Sequence, residues 1–276
     1  MFDMATVKTK TLWFCKSCGN ESAKWMGRCP ACGEWNTMVE ETVATGKKAG
    51  VQSLSVPGAG NKPMPLSEID SNRENRISLN NAEVDRILGG GLVEGSLVLI
   101  GGEPGIGKST LSLQIPLNCP SLKTLYVTGE ESLQQVALRA NRLGLQTQNV
   151  KIAAETSIDA ICQMASTEKP EILIVDSIQV MHVTGIESAP GSVSQVREAA
   201  AALTQFAKRS SVSVFMVGHV TKDGTLAGPK ILEHCVDCSV ILEAGSDMRY
   251  RTLRCQKNRF GAVNEIGVFA MTDTGL

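Results

Sequence analysis

From residue 97 onward, short apolar runs alternate with stretches of helical periodicity. The runs at 97–101, 124–128, 171–176, 213–217 and 239–242 are mostly apolar, with Val, Ile and Leu joined by Tyr126, Phe215 and Met216. That is the pattern of strands buried on both faces. Between them, 108–117, 133–143, 158–167 and 193–209 carry apolar residues at helical spacing. The alternation predicts an α/β fold, a mostly parallel sheet with helices on both faces. Two later segments, 250–256 and 262–271, have little helix between them and predict an antiparallel hairpin at the sheet edge. Residues 78–88 read as a helix stopped by Gly89-Gly90-Gly91. Pro116 should shorten or kink the helix it lies in.

The N-terminus is different in kind. Cys15, Cys18, Cys29 and Cys32 form a C-x₂-C-x₁₀-C-x₂-C array. Each C-x₂-C makes a knuckle that can point two sulfurs at one ion. Four thiolates form a closed tetrahedral site suited to structural Zn²⁺, a zinc finger with no open position for catalysis. Gly19 and Gly33 follow the second cysteine of each knuckle, where a positive φ is useful. Trp13, Trp25 and Trp35 either cover this small core, the favoured reading, or serve partly as a partner-binding face. Cys235 and Cys238 have no matching second pair and read as buried thiols. Residues 42–62, rich in Gly, Ala, Ser, Lys and Val, read as a linker. The division expected is a zinc-finger module at 1–41, a linker at 42–62 and a main α/β domain at 63–276.

Composition adds limits. The chain has 276 residues, 42% hydrophobic and 20% charged, with a formal charge of −1. A sizeable core fits, and a wholly basic nucleic-acid coat does not. No run reaches membrane-spanning length and residues 1–12 lack a secretory apolar region, so a cytoplasmic protein is expected.

The chemistry centres on Gly102, Glu103, Pro104, Gly105, Ile106, Gly107, Lys108, Ser109 and Thr110, which read G-x-x-x-x-G-K-[ST] between a strand and a helix. This is the phosphate-binding loop of nucleoside triphosphatases. Its backbone N–H groups and helix N-terminus suit phosphate oxygens, Lys108 the β- and γ-phosphates, and the Ser109 hydroxyl a Mg²⁺ ion. Asp176 ends an apolar strand, where an acid holds Mg²⁺ in such enzymes. Glu130, favoured over Glu131, follows another strand as the candidate base for the attacking water. His219 ends a third and could sense the γ-phosphate; His182 and His234 are weaker candidates. Lys257 and Arg259 are cations of the kind that stabilise a phosphoryl-transfer transition state.

Several motifs resemble the bacterial RadA (Sms) DNA-repair family of the RecA-like ATPase superfamily. They are Lys24–Pro30 and Gly33–Thr37 around the knuckles, Gly89–Val93, Gly102–Thr110, Gly129–Ser132, Gly218–Lys222 and Lys257-Asn258-Arg259-Phe260-Gly261. The resemblance covers nearly the whole chain. It implies a RecA-like P-loop core using ATP, assembled as a homo-hexamer around single-stranded DNA. It implies a helicase or translocase that drives branch migration with the RecA recombinase, which the zinc finger is associated with contacting. In such rings ATP lies between subunits, so Lys257 and Arg259 would act on the nucleotide of the neighbour. Loops facing the ring axis would hold DNA: 184–194 followed by Arg197, and 221–230 with Lys222 and Lys230. The family's C-terminal domain, similar to the Lon protease, is expected to be absent here, and with it any protease activity. The competing readings are a nucleotide-switched scaffold whose zinc finger recruits a protein without DNA translocation, and a phosphotransferase on the same core.

Overall fold

The computed structural model describes residues 9–44, 65, 68, 75–144, 148–219, 232–245 and 249–276. At the N-terminus, β1 (Thr9–Cys15), β2 (Glu21–Ser22) and β3 (Met38–Ala44) form an antiparallel sheet in the order β2-β1-β3. The short strands β4 (Arg76–Ile77) and β5 (Leu92–Val93) pair across α1 (Ala82–Ile87). The main body then runs β6 (Leu97–Gly102), α2 (Lys108–Leu117), β7 (Thr124–Thr128), α3 (Leu133–Arg142) and β8 (Val150–Ala154). It continues with α4 (Ile158–Glu168), β9 (Ile172–Asp176), α5 (Val193–Ser210) and β10 (Ser213–His219). It closes with β11 (Cys238–Ala244), β12 (Tyr250–Asn258) and β13 (Ile266–Ala270).

Among the described residues, these form an eight-stranded sheet in the order β13-β12-β11-β6-β10-β9-β7-β8. The strands from β11 to β8 are parallel, and β12 and β13 add antiparallel at the edge. The apolar runs are continuous because alternate residues serve two cores. Leu97, Leu99, Leu173, Val175, Val214 and Met216 pack with α4 and α5. Val98, Ile100, Ile172, Ile174 and Phe215 pack with α1, α2 and α3. A one-residue slip would exchange the faces of a whole strand, so two-sided burial fixes the register.

The elements differ from the sequence reading in several places, among them the last strand, expected at 262–271 and found at 266–270. The first helix begins at Ala82, because the Asn81 side chain accepts from the Val84 amide and caps it there. Asp85 also accepts from the Leu79 amide and the Ser78 hydroxyl, holding that segment as a turn. The strand β8 was not anticipated; it is a half-buried edge strand whose five residues carry only a faint alternation. Residues 42–44 extend β3 by pairing with 9–11, and 45–62 lie outside the described residues. Pro116 falls in the last turn of α2, which ends one residue later.

The N-terminal module is docked on the main body. Leu12 and Phe14 of β1 join the core beneath α5. The Glu41 carboxylate accepts from the backbone amides of Val193 and Ser194 at 2.9 and 3.4 Å, where an anion suits the helix N-terminus.

Candidate functional site

The four knuckle cysteines converge. Their sulfurs all lie within 4.8 Å of one another. Cys15 and Cys32 are 3.7 Å apart and Cys18 and Cys29 3.6 Å. Thiolates about 2.3 Å from one zinc ion lie about 3.8 Å apart in a regular tetrahedron, so the cluster fits the metal. The knuckles close through bonds from the Gly19 amide to the Cys15 carbonyl and from the Gly33 amide to the Cys29 carbonyl. Both glycines have positive φ, 73° and 76°. Trp25 and Trp35 do not cover the core; they are 56% and 69% exposed, with Arg28 stacked 5.8 Å from the Trp35 ring centre. Few apolar groups are left inside the module, so the metal has to carry much of its folding free energy. Elemental analysis should find about one zinc per chain, and Cys29→Ser should lose it together with the ordered Trp13 environment. A purified chain free of zinc with an intact module would contradict this. Cys238 is buried and Cys235 half-buried, their thiols raised by contact with Cys255 and by burial respectively. Neither belongs to a second metal cluster among the described residues.

The phosphate loop leaves β6 and opens α2 at Gly107, whose φ of 114° suits glycine. Lys108 is buried, and its ammonium donates to the Gly102 and Glu103 carbonyls at 2.9 and 2.8 Å. Burial pushes its pKa down, against the opposing pull of Asp176 and Glu130. A cleft of about 340 Å³ opens beside the loop, lined by Gly102, Glu103, Ile106 and the end of β11.

The parallel strands bring the other candidates to the same end of the sheet, where ligands gather in open α/β folds. Asp176 ends β9 and accepts from the Tyr126 hydroxyl at 2.6 Å. Burial raises its pKa, while hydrogen bonds from Tyr126 and Ser109 oppose the rise. His219 ends β10 with Nε2 3.8 Å from Glu130. Its Nδ1 is buried with no hydrogen-bond partner among the described residues. Burial and then Lys108 lower its pKa, against Glu130 and Asp176, so the ring is poised neutral near pH 7. The Ser177 hydroxyl bonds Glu130, which turns toward this group. Glu131 instead pairs with Arg139 on α3. Sequence reasoning missed Tyr126 and Ser177; a hydroxyl inside one apolar strand and next to Asp176 was the available signal.

Lys257 and Arg259 lie elsewhere. Lys257 pairs with Ser239 and, through β11, with Leu99, toward the opposite end of β6 from the loop. Its ammonium bonds the Glu233 and Val236 carbonyls. The Arg259 guanidinium lies 3.7 Å from buried Asp237 and is 51% exposed. The turn beyond it packs on the glycine-rich stop after α1: a Cβ on Gly89 would stand 3.3 Å from Gly261 Cα, and Arg76 bonds the Phe260 carbonyl. Two motifs distant in sequence therefore make one structural unit.

Arg197 lies near the start of α5, its guanidinium 5.7 Å over the Phe14 ring and 3.3 Å from Glu198. Lys222 and Lys230, with the loop 221–230, lie outside the described residues.

The chain matches the rubredoxin metal binding domain over residues 13–40 and the AAA domain over residues 63–225. It is 54% identical to the DNA repair protein RadA of Haemophilus influenzae over 270 residues, 97% of this chain and 59% of that protein. It is 54% identical to RadA of Escherichia coli over 272 residues, with the same shares. Identity to RadA of Bacillus subtilis is 48% over 273 residues, 98% of this chain and 59% of the relative. The chain thus spans about three fifths of the length of the curated relatives it matches. A KaiC-like protein from the archaeon Pyrococcus horikoshii shares the fold, with a TM-score of 0.61 at 18% identity over 73% of this chain and 97% of that one. With its parallel sheet, phosphate loop and four-cysteine cluster, the chain belongs to the AAA domain family, as a homologue of the RadA DNA repair proteins with a RecA-like core behind a zinc-binding module.

Proposed function

We propose that the chain is a DNA-dependent ATPase of recombinational DNA repair. It acts as a hexameric ring on single-stranded DNA, a helicase or translocase that promotes branch migration together with the RecA recombinase. The observation that carries this is the division of the candidate residues. Lys108, Ser109, Asp176, Glu130 and His219 share one end of the sheet, while Lys257 and Arg259 lie toward the other. A site needing all of them needs two copies of the chain, as a head-to-tail ring provides.

In this reading the loop amides and Lys108 hold the phosphates, Lys108 exchanging its carbonyl partners for phosphate oxygens. Ser109 and Asp176 would hold Mg²⁺, which supplies charge neutralisation on the phosphates. Glu130, held by Ser177, orients the attacking water and takes its proton. His219, neutral beside Glu130, is placed to register the γ-phosphate and pass the change to residues 221–230, which follow it closely in the chain. Lys222, Lys230 and Arg197 are the proposed DNA contacts. Arg197 would have to leave Phe14 for that role.

The exposed Trp25 and Trp35 favour the alternative of a nucleotide-switched scaffold that recruits a protein through its zinc module. ATP hydrolysis measured with and without single-stranded DNA separates the two. The motor predicts a rate raised about tenfold or more by DNA, with an effect that weakens as salt rises. Assembled rings whose hydrolysis ignores DNA would sink it.

A further inference from the structure

We propose that Arg251 is a positioning residue for the phosphate loop, and that β12 is the rod through which nucleotide in one subunit sets the cations offered to the next. The second half rests on the reading of Lys257 and Arg259 as cations acting across a subunit boundary.

Arg251 is the second residue of β12 and only 7% exposed. Its Nε donates to the Ile106 carbonyl, inside the phosphate loop, at 3.0 Å. Its Nη1 donates to the Tyr250 carbonyl, also at 3.0 Å, which fixes the plane of the guanidinium. The hairpin touches the same point from a second side. A Cβ on Gly107 would stand 2.7 Å from Met271 Cε, and the Met271 amide is anchored on the Arg249 carbonyl at 2.7 Å. The Ile106–Gly107 peptide is therefore flanked by Arg251 of β12 and by Met271, the residue that follows β13.

A cation this buried is costly to desolvate and is kept where it is hydrogen-bonded. What arginine adds is a rigid, directional donor aimed at one carbonyl.

The same strand reaches the other candidate cations. Lys257 is six residues further along β12, about 20 Å in extended chain, and Arg259 lies just past its end. The intervening strand is paired to β11 along its length except for a register shift at Gln256, and to β13 from Tyr250 to Arg254. When phosphate draws Lys108 from the Gly102 and Glu103 carbonyls, the loop is free to shift. A shift at Ile106 moves Arg251, and the strand carries it to Lys257 and Arg259.

The test uses the full chain with Arg251→Met, which keeps bulk without donors, and Arg251→Lys, which keeps a donor. Equilibrium binding of a fluorescent ATP analogue is measured without DNA, together with the melting temperature and the Hill coefficient of ATP hydrolysis. Arg251→Met should bind the analogue about tenfold more weakly at an unchanged or higher melting temperature, and Arg251→Lys should recover part of the affinity. The Hill coefficient, above one in the parent, should fall to one in Arg251→Met. Unchanged affinity overturns the positioning role. So does a loss that tracks a lower melting temperature and is not rescued by lysine. Weaker binding with an unaltered Hill coefficient, or a parent coefficient of one, overturns the rod. Because binding is read without DNA, failure here is distinct from failure of DNA stimulation.

Discussion

Lys108→Ala should reduce ATP hydrolysis by about a thousandfold or more, equivalent to about 4 kcal/mol of transition-state stabilisation, without unfolding the chain. The size follows from where the ammonium sits. It is buried at the mouth of α2, its charge already disfavoured by burial and offset by Asp176 and Glu130. An incoming triphosphate brings compensating negative charge into a site with little water to screen it, so the interaction is strong. The fold should survive because, among the described residues, the lysine bonds only the Gly102 and Glu103 carbonyls. Losing a buried cation relieves a desolvation cost that offsets those two bonds. Parallel measurements of hydrolysis and melting temperature decide it. A variant retaining a tenth of the activity would remove Lys108 from the centre of the mechanism, and one that fails to melt cooperatively would make it a fold residue.

The same burial explains what could be read from residues alone. The strands β6, β7, β9 and β10 were legible because both faces are covered, which leaves unbroken apolar runs ending in chemically distinctive residues: Gly102, Thr128, Asp176 and His219. The metal cluster was legible because knuckle geometry needs fixed spacing. The strand β8 was not, since an open edge imposes no two-sided burial on Val150–Ala154. The fates of Trp25 and Trp35 were not either: aromatic residues near cysteines say nothing about which way the rings turn. Nor could sequence divide Glu130 from Glu131 by more than preference. That division depends on Ser177 and Arg139, which reach the pair from just past the end of β9 and from α3. Arg251 was invisible for the same reason. An arginine on an edge hairpin reads as a solvated charge until the strand order places its start beside the phosphate loop.

The second large effect concerns the cations at the far end of β12. Arg259→Ala should lower hydrolysis by about a thousandfold, as loss of an arginine acting on a transferring phosphoryl group does. Nucleotide affinity of the same subunit should hardly change, because Arg259 is remote from the Lys108 that serves its own loop. Asp237 keeps the guanidinium poised: it is almost fully buried and also bonds the Leu97 amide and Lys208, so it cannot follow Arg259 outward. The arginine, half exposed, can. Mixing Lys108→Ala with Arg259→Ala subunits gives a decisive result. Each is inactive alone, yet a boundary that joins the intact loop of one to the intact arginine of the other is complete. In randomly mixed head-to-tail rings about a quarter of the boundaries are of that kind, so a comparable fraction of the parent rate should return. If mixed rings form and no activity returns, Arg259 serves its own subunit or none. The division of the site between copies then fails, while the phosphate loop, Asp176 and Glu130 remain as a self-contained nucleotide site.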